Sequence, residues 1–170
     1  MFYRMAYGLF VCAACVAWMP LTACAKETVT LLSISDTPDP YSPLTAQGTA
    51  TISGTFQFST FGPDVNSQGT LQRSLLRMTV TLSNAAGPVV RTIKAEISAA
   101  RAPGGPKELT VALEVPWDGK DAAGQALPDG PYAYGVTGEL VIFHLNKHDP
   151  KAVLQEFSKA TSNALHGALL

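Results

Sequence analysis

The stretch VPWDGKDAAGQALPDGPYAYGV, Val115–Val136, sets three aspartates and three glycines between a tryptophan and a pair of tyrosines. Such a run could hold a metal, carry an active site or reverse the chain between two strands. A calcium loop of the EF-hand kind wants oxygen ligands at alternate positions. Counting from Asp118 puts Lys120 and Ala122 where those ligands should stand. Turn chemistry fits: Asp118-Gly119 and Asp129-Gly130 are both turn pairs, in which Asp bonds its own backbone and Gly accepts a positive φ. Gly124 serves the loop between them.

Strands are expected on both sides of that loop. Leu109, Val111, Leu113, Val115 and Trp117 run into it in one phase, and Tyr132, Tyr134, Val136, Leu140 and Ile142 run out of it in one phase. This period of two places one face of a strand on a core. Ala50, Ile52, Gly54, Phe56 and Phe58 alternate with polar residues, as do Leu76, Met78, Val80 and Leu82. TVTLLSIS, within 26–35, is a further β-rich stretch, and the proline-rich DTPDPYSP after it reads as a crossing segment at a sheet edge. FGPDVNSQG, SNAAGP and ARAPGGP supply turns between the runs. The expected fold is all-β, an immunoglobulin-like or fibronectin III-like antiparallel sandwich. Val141, Phe143 and Leu145 add apolar groups on the opposite phase of the last strand, so its end should be covered on both sides, with the tail as the expected cover. That tail, 146–170, has two readings. Asp149-Pro150 could cap a short helix, or NKHDPK could turn a hairpin into a strand over 152–158 with a last strand near Leu165. An all-β body favours the hairpin.

The first 23 residues carry one basic residue, Arg4, then an apolar run from Met5 to Met19. A basic start, an apolar run of this length and small residues after it describe a cleaved export signal. A membrane span needs about 20 apolar residues, and Pro20 interrupts too early. Leu21-Thr22-Ala23-Cys24 resembles the lipobox of bacterial lipoproteins, which implies acylation of Cys24, while Ala23-Cys24-Ala25 also has the small-x-small form of ordinary cleavage. Cys12 and Cys15 lie inside the apolar run, so Cys24 has no partner for a disulfide in the mature chain, and this favours the lipid. The expected organisation is a signal peptide over 1–23, lipidated Cys24 and a tether over 24–27, the sandwich over 28–145, and a C-terminal extension packing on it over 146–170. Ala25 after the cysteine implies, by resemblance to lipoprotein sorting, an outer membrane as the destination.

The residues Trp117-Asp118-Gly119, Asp121, Gly124, Leu127-Pro128-Asp129-Gly130, Tyr132 and Tyr134 resemble the signature of FlgD-like immunoglobulin-like domains, named for the flagellar hook-capping protein. Tyr41-Ser42-Pro43 and the run Val80 through Asn84, Gly87, Val90, Arg91 and Ile93 match the family's order upstream, so the resemblance covers about residues 38 to 145. It implies a non-catalytic module. Leu44-Thr45-Ala46-Gln47-Gly48 has no acid where family members often have an Asn/Asp/Gly-rich loop, which weakens any inherited calcium site. The long amino-terminal region of the hook-capping protein is missing, so no flagellar role is implied. Independently of the family, Trp117 continues a buried phase and should fill the core. DGPYAY resembles a tyrosine corner, in which the Tyr132 hydroxyl would bond back to nearby backbone.

Chemistry finds little purchase elsewhere. There is no G-x-S-x-G, no H-E-x-x-H and no glycine-rich phosphate loop. His144, His148 and Asp149 are the one group of metal-ligand types, short of the three or four ligands in a set geometry that zinc takes, and His166 stands apart. No metal or cofactor is expected. From Cys24 onward the 12 basic residues less Arg4 leave 11 against 13 acidic ones, a formal charge of −2, with no basic stripe for nucleic acid. The expectation is an exported envelope protein, held to the membrane through Cys24, that recognises an envelope protein through the loops Phe61–Thr70 or Ala100–Lys107 or through an open sheet edge. Accessory subunits of envelope enzymes or export machines, and carbohydrate-binding or calcium-dependent adhesins, are the alternatives.

Overall fold

The computed structural model describes residues 27–37, 49–60, 72–85 and 87–169. The signal segment, Cys24, Tyr41-Ser42-Pro43 and the loop Phe61–Thr70 lie outside the described residues. Among the described residues the chain forms strands only: β1 (Val29–Thr37), β2 (Ala50–Ser59), β3 (Gln72–Asn84), β4 (Val89–Ser98), β5 (Glu108–Trp117), β6 (Tyr132–Asn146), β7 (Asp149–Thr161) and β8 (Leu165–Leu169). They make two antiparallel sheets, β1-β2-β5 and β4-β3-β6-β7, with β8 also paired to β6. This is an immunoglobulin-like sandwich.

Alternation explains the layers. In β2, Ala50, Ile52, Phe56 and Phe58 are buried, and in β3, Leu76, Met78, Val80 and Leu82 are, so the two inner faces meet. Val115 and Trp117 of β5 and Tyr132, Tyr134, Val136 and Leu140 of β6 complete the core. The sheets approach where glycine allows it. Gly138 stands opposite Met78 across β6 and β3, and a Cβ at Gly138 would overlap the Phe56 ring from the other sheet.

β1 changes phase partway. Val29 and Leu31 face the core, the register slips between Leu31 and Ser33, and Ile34 and Asp36 then take the inward positions, leaving Leu32 50% exposed. A bulge of this kind inserts one unpaired residue and turns the rest of the strand over.

The tail forms β7 and β8 and packs on the sandwich by pairing edge to edge. β7 lies beside the later part of β6 and β8 beside its first part, both antiparallel to it, so they are one edge interrupted at Ser162, Asn163 and Ala164. At the interruption Ser162 N donates to Gly138 O at 2.8 Å, and Asn163 reaches across to the other sheet. Its Oδ1 accepts from Leu31 N at 3.0 Å and its Nδ2 donates to Leu31 O at 3.1 Å, so one side-chain amide does what a neighbouring strand residue would do. The tail therefore runs beside β6 rather than over it.

The outer phase of β6 is nonetheless buried at Val141, Phe143 and Leu145, which pack with Leu75. Arg73 and Arg77 of β3 lie over the Phe143 ring, 5.3 and 5.8 Å from its centre. Arg77 binds Glu96 of β4 at 2.7 Å and Glu156 of β7 at 2.9 Å, with Glu139 of β6 at 3.8 Å, tying four strands through one guanidinium. The hydrogen bond to Glu96 raises the Arg77 pKa, burial works against it, and Glu156 adds to the rise.

Adding a methyl group at Gly138 would force Phe56 off its seat. Gly138→Ala should lower stability by about 1–3 kcal/mol, the usual cost of overpacking, read as a drop in the urea midpoint. Phe56→Leu in the same chain should recover part of that loss, and an unchanged midpoint for the single variant would mean the ring moves aside freely.

Candidate functional site

The segment that links β5 to β6 lies at one end of the sandwich, where Ala50 pairs with Trp117 and Asn84 with Tyr132. Both aspartates of its first half accept from the loop's own backbone. Asp121 Oδ1 accepts from Ala123 N at 2.8 Å and Gln125 N at 2.9 Å, while Asp121 N donates to Gln125 O at 2.9 Å. Asp118 Oδ1 accepts from Lys120 N at 3.3 Å. Gly119 and Gly124 adopt φ of 71° and 80°, conformations that a side chain would strain. Leu127 N closes the loop on Gly119 O at 2.9 Å.

Five further bonds dock this closed loop on the body. Trp117, fully buried, donates from Nε1 to Lys120 O at 3.0 Å. Ala122 N donates to Val90 O of β4 at 3.1 Å. Arg91 of β4 donates to Asp121 O at 3.1 Å and to Lys120 O and Asp118 Oδ1 at 3.3 Å each. Among the described residues no strand pairs with the outer edge of β4, and loop backbone meets that edge at Val90.

Two tyrosines secure the return into β6. Tyr132 OH donates to Pro128 O at 2.6 Å, the back-bond of a tyrosine corner, and its ring meets Trp117 edge-on with centroids 5.2 Å apart. Tyr134 OH donates to Asp36 Oδ1 of β1 at 2.5 Å, joining the two sheets. Gly167 of β8 leaves the space that the Tyr134 ring fills. Asp129 and Gly130 form the turn just before β6 and stay exposed. Burial first, and then the charge of Asp129, raises the Tyr132 pKa above that of a free phenol.

The arrangement braces the loop against the sandwich. Among the described residues no three His, Cys, Asp or Glu side chains gather as a metal would require. His144 packs edge-on to Phe157 at 4.9 Å. His148 lies in the β6–β7 turn, where its backbone N donates to Asn146 Oδ1 at 2.9 Å, and Asp149 Oδ1 accepts from Lys151 N at 3.1 Å. His166 sits over Gly135 of β6. A second feature is an open cleft of about 500 Å³ between the start of β1 and the end of β7, with Thr28, Val29 and Thr30 on one wall and Ser158, Lys159 and Ala160 on the other.

Sequence reading placed the loop's own residues but not their distant partners. Asp36 and Asn163 have no local signature because their partners lie 98 and 132 residues away. A polar residue on an inward phase, as at Asp36, is the one signal that could have found the first of them.

Tyr132→Phe removes one net hydrogen bond and should cost about 0.5–1.5 kcal/mol, measured as a shift of the unfolding midpoint. Because the folded phenol pKa is raised, its share of stability is present below the free value of about 10 and is lost as pH climbs from there through the folded value. Wild type should therefore lose stability more steeply than Tyr132→Phe in alkaline titrations, and parallel curves would refute the linkage.

The model of the FlgD Ig-like domain matches residues 53–140, more than half of the chain. A solved structure of FlgD from P. aeruginosa is similar at 19% identity and a TM-score of 0.25, over 60% of this chain. The chain spans about 64% of that protein's length. No curated protein matches. With its tryptophan, braced aspartate loop and tyrosine corner in one closed sandwich, the chain belongs to the FlgD Ig-like domain family.

Proposed function

We propose that this chain is an exported, lipid-anchored envelope protein whose sandwich serves as a non-catalytic binding or scaffold module. One observation carries the non-catalytic part: Asp118 and Asp121, the acids most available for chemistry, hold backbone amides of their own loop. A carboxylate so engaged serves the turn instead of a substrate. Family membership supports the same reading, since the matched module is an immunoglobulin-like domain. Such modules recognise partners through end loops or open strand edges. Here the choices are the loop Ala100–Lys107, the exposed part of the signature loop, and the cleft between β1 and β7.

The anchor rests on the sequence alone: Leu21-Thr22-Ala23-Cys24 at the end of an apolar run, with no second cysteine in the mature chain. Several acyl chains on one residue hold a protein firmly, at about 0.8 kcal/mol for each buried methylene. Ala25 directs the mature protein to an outer membrane where the cell has one.

Metabolic labelling with a palmitate analogue should mark the wild type and not Cys24→Ser; an unlabelled wild type would remove the anchor. Cross-linking in the envelope followed by capture of the lipidated protein should retrieve a protein partner. Co-purification of a hydrolase would make the module an accessory subunit, retention on glycan with calcium dependence would make it an adhesin, and turnover of substrate by the pure protein would end the non-catalytic reading.

A further inference from the structure

We infer that the end of the sandwich opposite the signature loop is a membrane-facing surface that rests on anionic lipid headgroups. The inference rests on the reading of Cys24 as acylated and deepens it by assigning an orientation.

Topology supplies the first argument. β1 starts at the end where Val29 pairs with Phe58 and Ser59 with Glu108, the far end from Trp117. The turn from β6 into β7 and the segment from β4 to β5 lie at that same end, since Gln72 pairs with His144 and Leu75 with Ser98. Only two residues separate Cys24 from Glu27, so the anchor lies within about 11 Å of the domain at full extension. β6 has 15 residues, a length of roughly 50 Å at the strand rise. A tether this short brings the near end to the bilayer and holds the signature loop several times farther away.

Charge supplies the second. Among the described residues, Arg73, Arg101, Lys107, Lys147 and Lys151 at the near end face Glu27, Glu108, Asp149 and Glu156, five basic groups against four acidic ones. Three of those acids are engaged locally, Glu108 with Gln57, Asp149 with Lys151 N and Glu156 with Arg77. At the other end Asp36, Asp118, Asp121 and Asp129 outnumber Arg91 and Lys120. Each basic residue close to an anionic bilayer favours contact by roughly fivefold, and the attraction fades within a Debye length, about 10 Å. The tether keeps this end inside that range.

Exposed apolar side chains supply the third. Leu154 and Val153 stand 67% and 45% exposed on the first half of β7, close to Lys151, and Ile97 is 36% exposed at the end of β4. Apolar groups among basic ones suit the boundary between headgroups and acyl chains. Ala100–Lys107 then faces lipid, which leaves the signature loop and the sheet faces for protein partners.

The test uses the full, processed protein reconstituted in vesicles of brominated phosphatidylcholine with or without phosphatidylglycerol. Tryptophan reporters are placed at two exposed positions, Leu154→Trp at the near end and Ala123→Trp at the far one, and acyl mass is checked by mass spectrometry. The expected result is lipid quenching of the Leu154→Trp emission, several-fold stronger with phosphatidylglycerol, reversed by salt and by Lys147→Gln with Lys151→Gln, and no quenching at Ala123→Trp. An acylated protein with equal quenching at both ends, or indifferent to phosphatidylglycerol, overturns the orientation while the anchor stands. Absence of acyl mass overturns the anchor, and the inference falls with it.

Discussion

The ring of Phe56, seated where Gly138 has no side chain, sets how closely the two sheets approach. Everything else is built to that spacing. Met78, opposite Gly138 in the neighbouring strand, fills the adjoining space with a flexible thioether. The inner phases of β2, β3, β5 and β6 then close around them without a break. Because interiors are packed at crystal-like density, the missing side chain at Gly138 is as much part of the core as the aromatic ring that uses its room.

Each side of the sandwich is sealed by a different device. Next to β4, the signature loop folds onto the strand edge, with Arg91 gripping three loop acceptors and Ala122 bonding Val90. Next to β1, Asn163 and the Tyr134–Asp36 bond cross from one sheet to the other. Over the outer face, Arg77 collects carboxylates from three strands. Exposed ion pairs contribute little one at a time, but this guanidinium also lies against Phe143 and is largely shielded.

The core strands were legible because burial on one face writes a period of two into the sequence, as in Ala50 to Phe58 and Leu76 to Leu82. The turns were legible because Asp and Gly are there for local reasons. β4 was harder, being an edge with Val89 and Ile97 exposed, so its alternation is faint. In the tail, exposure on both faces of β7 erased the contrast that separates helix from strand, and only pairing with β6 decides it. The bulge at Leu32 and the reach of Asn163 depend on neighbours brought close by the fold, which no window of sequence contains.

Asn163 makes one seam answerable to the chemistry of one carboxamide. Its oxygen and nitrogen serve opposite roles toward Leu31, so the pair works only while the group has both a donor and an acceptor. Hydrolysis to a carboxylate, the slow ageing reaction of asparagine, would leave oxygen facing the Leu31 carbonyl and turn an attraction into repulsion. The seam, where the two halves of the terminal edge meet, thus depends on a group that cannot be replaced by an isosteric acid.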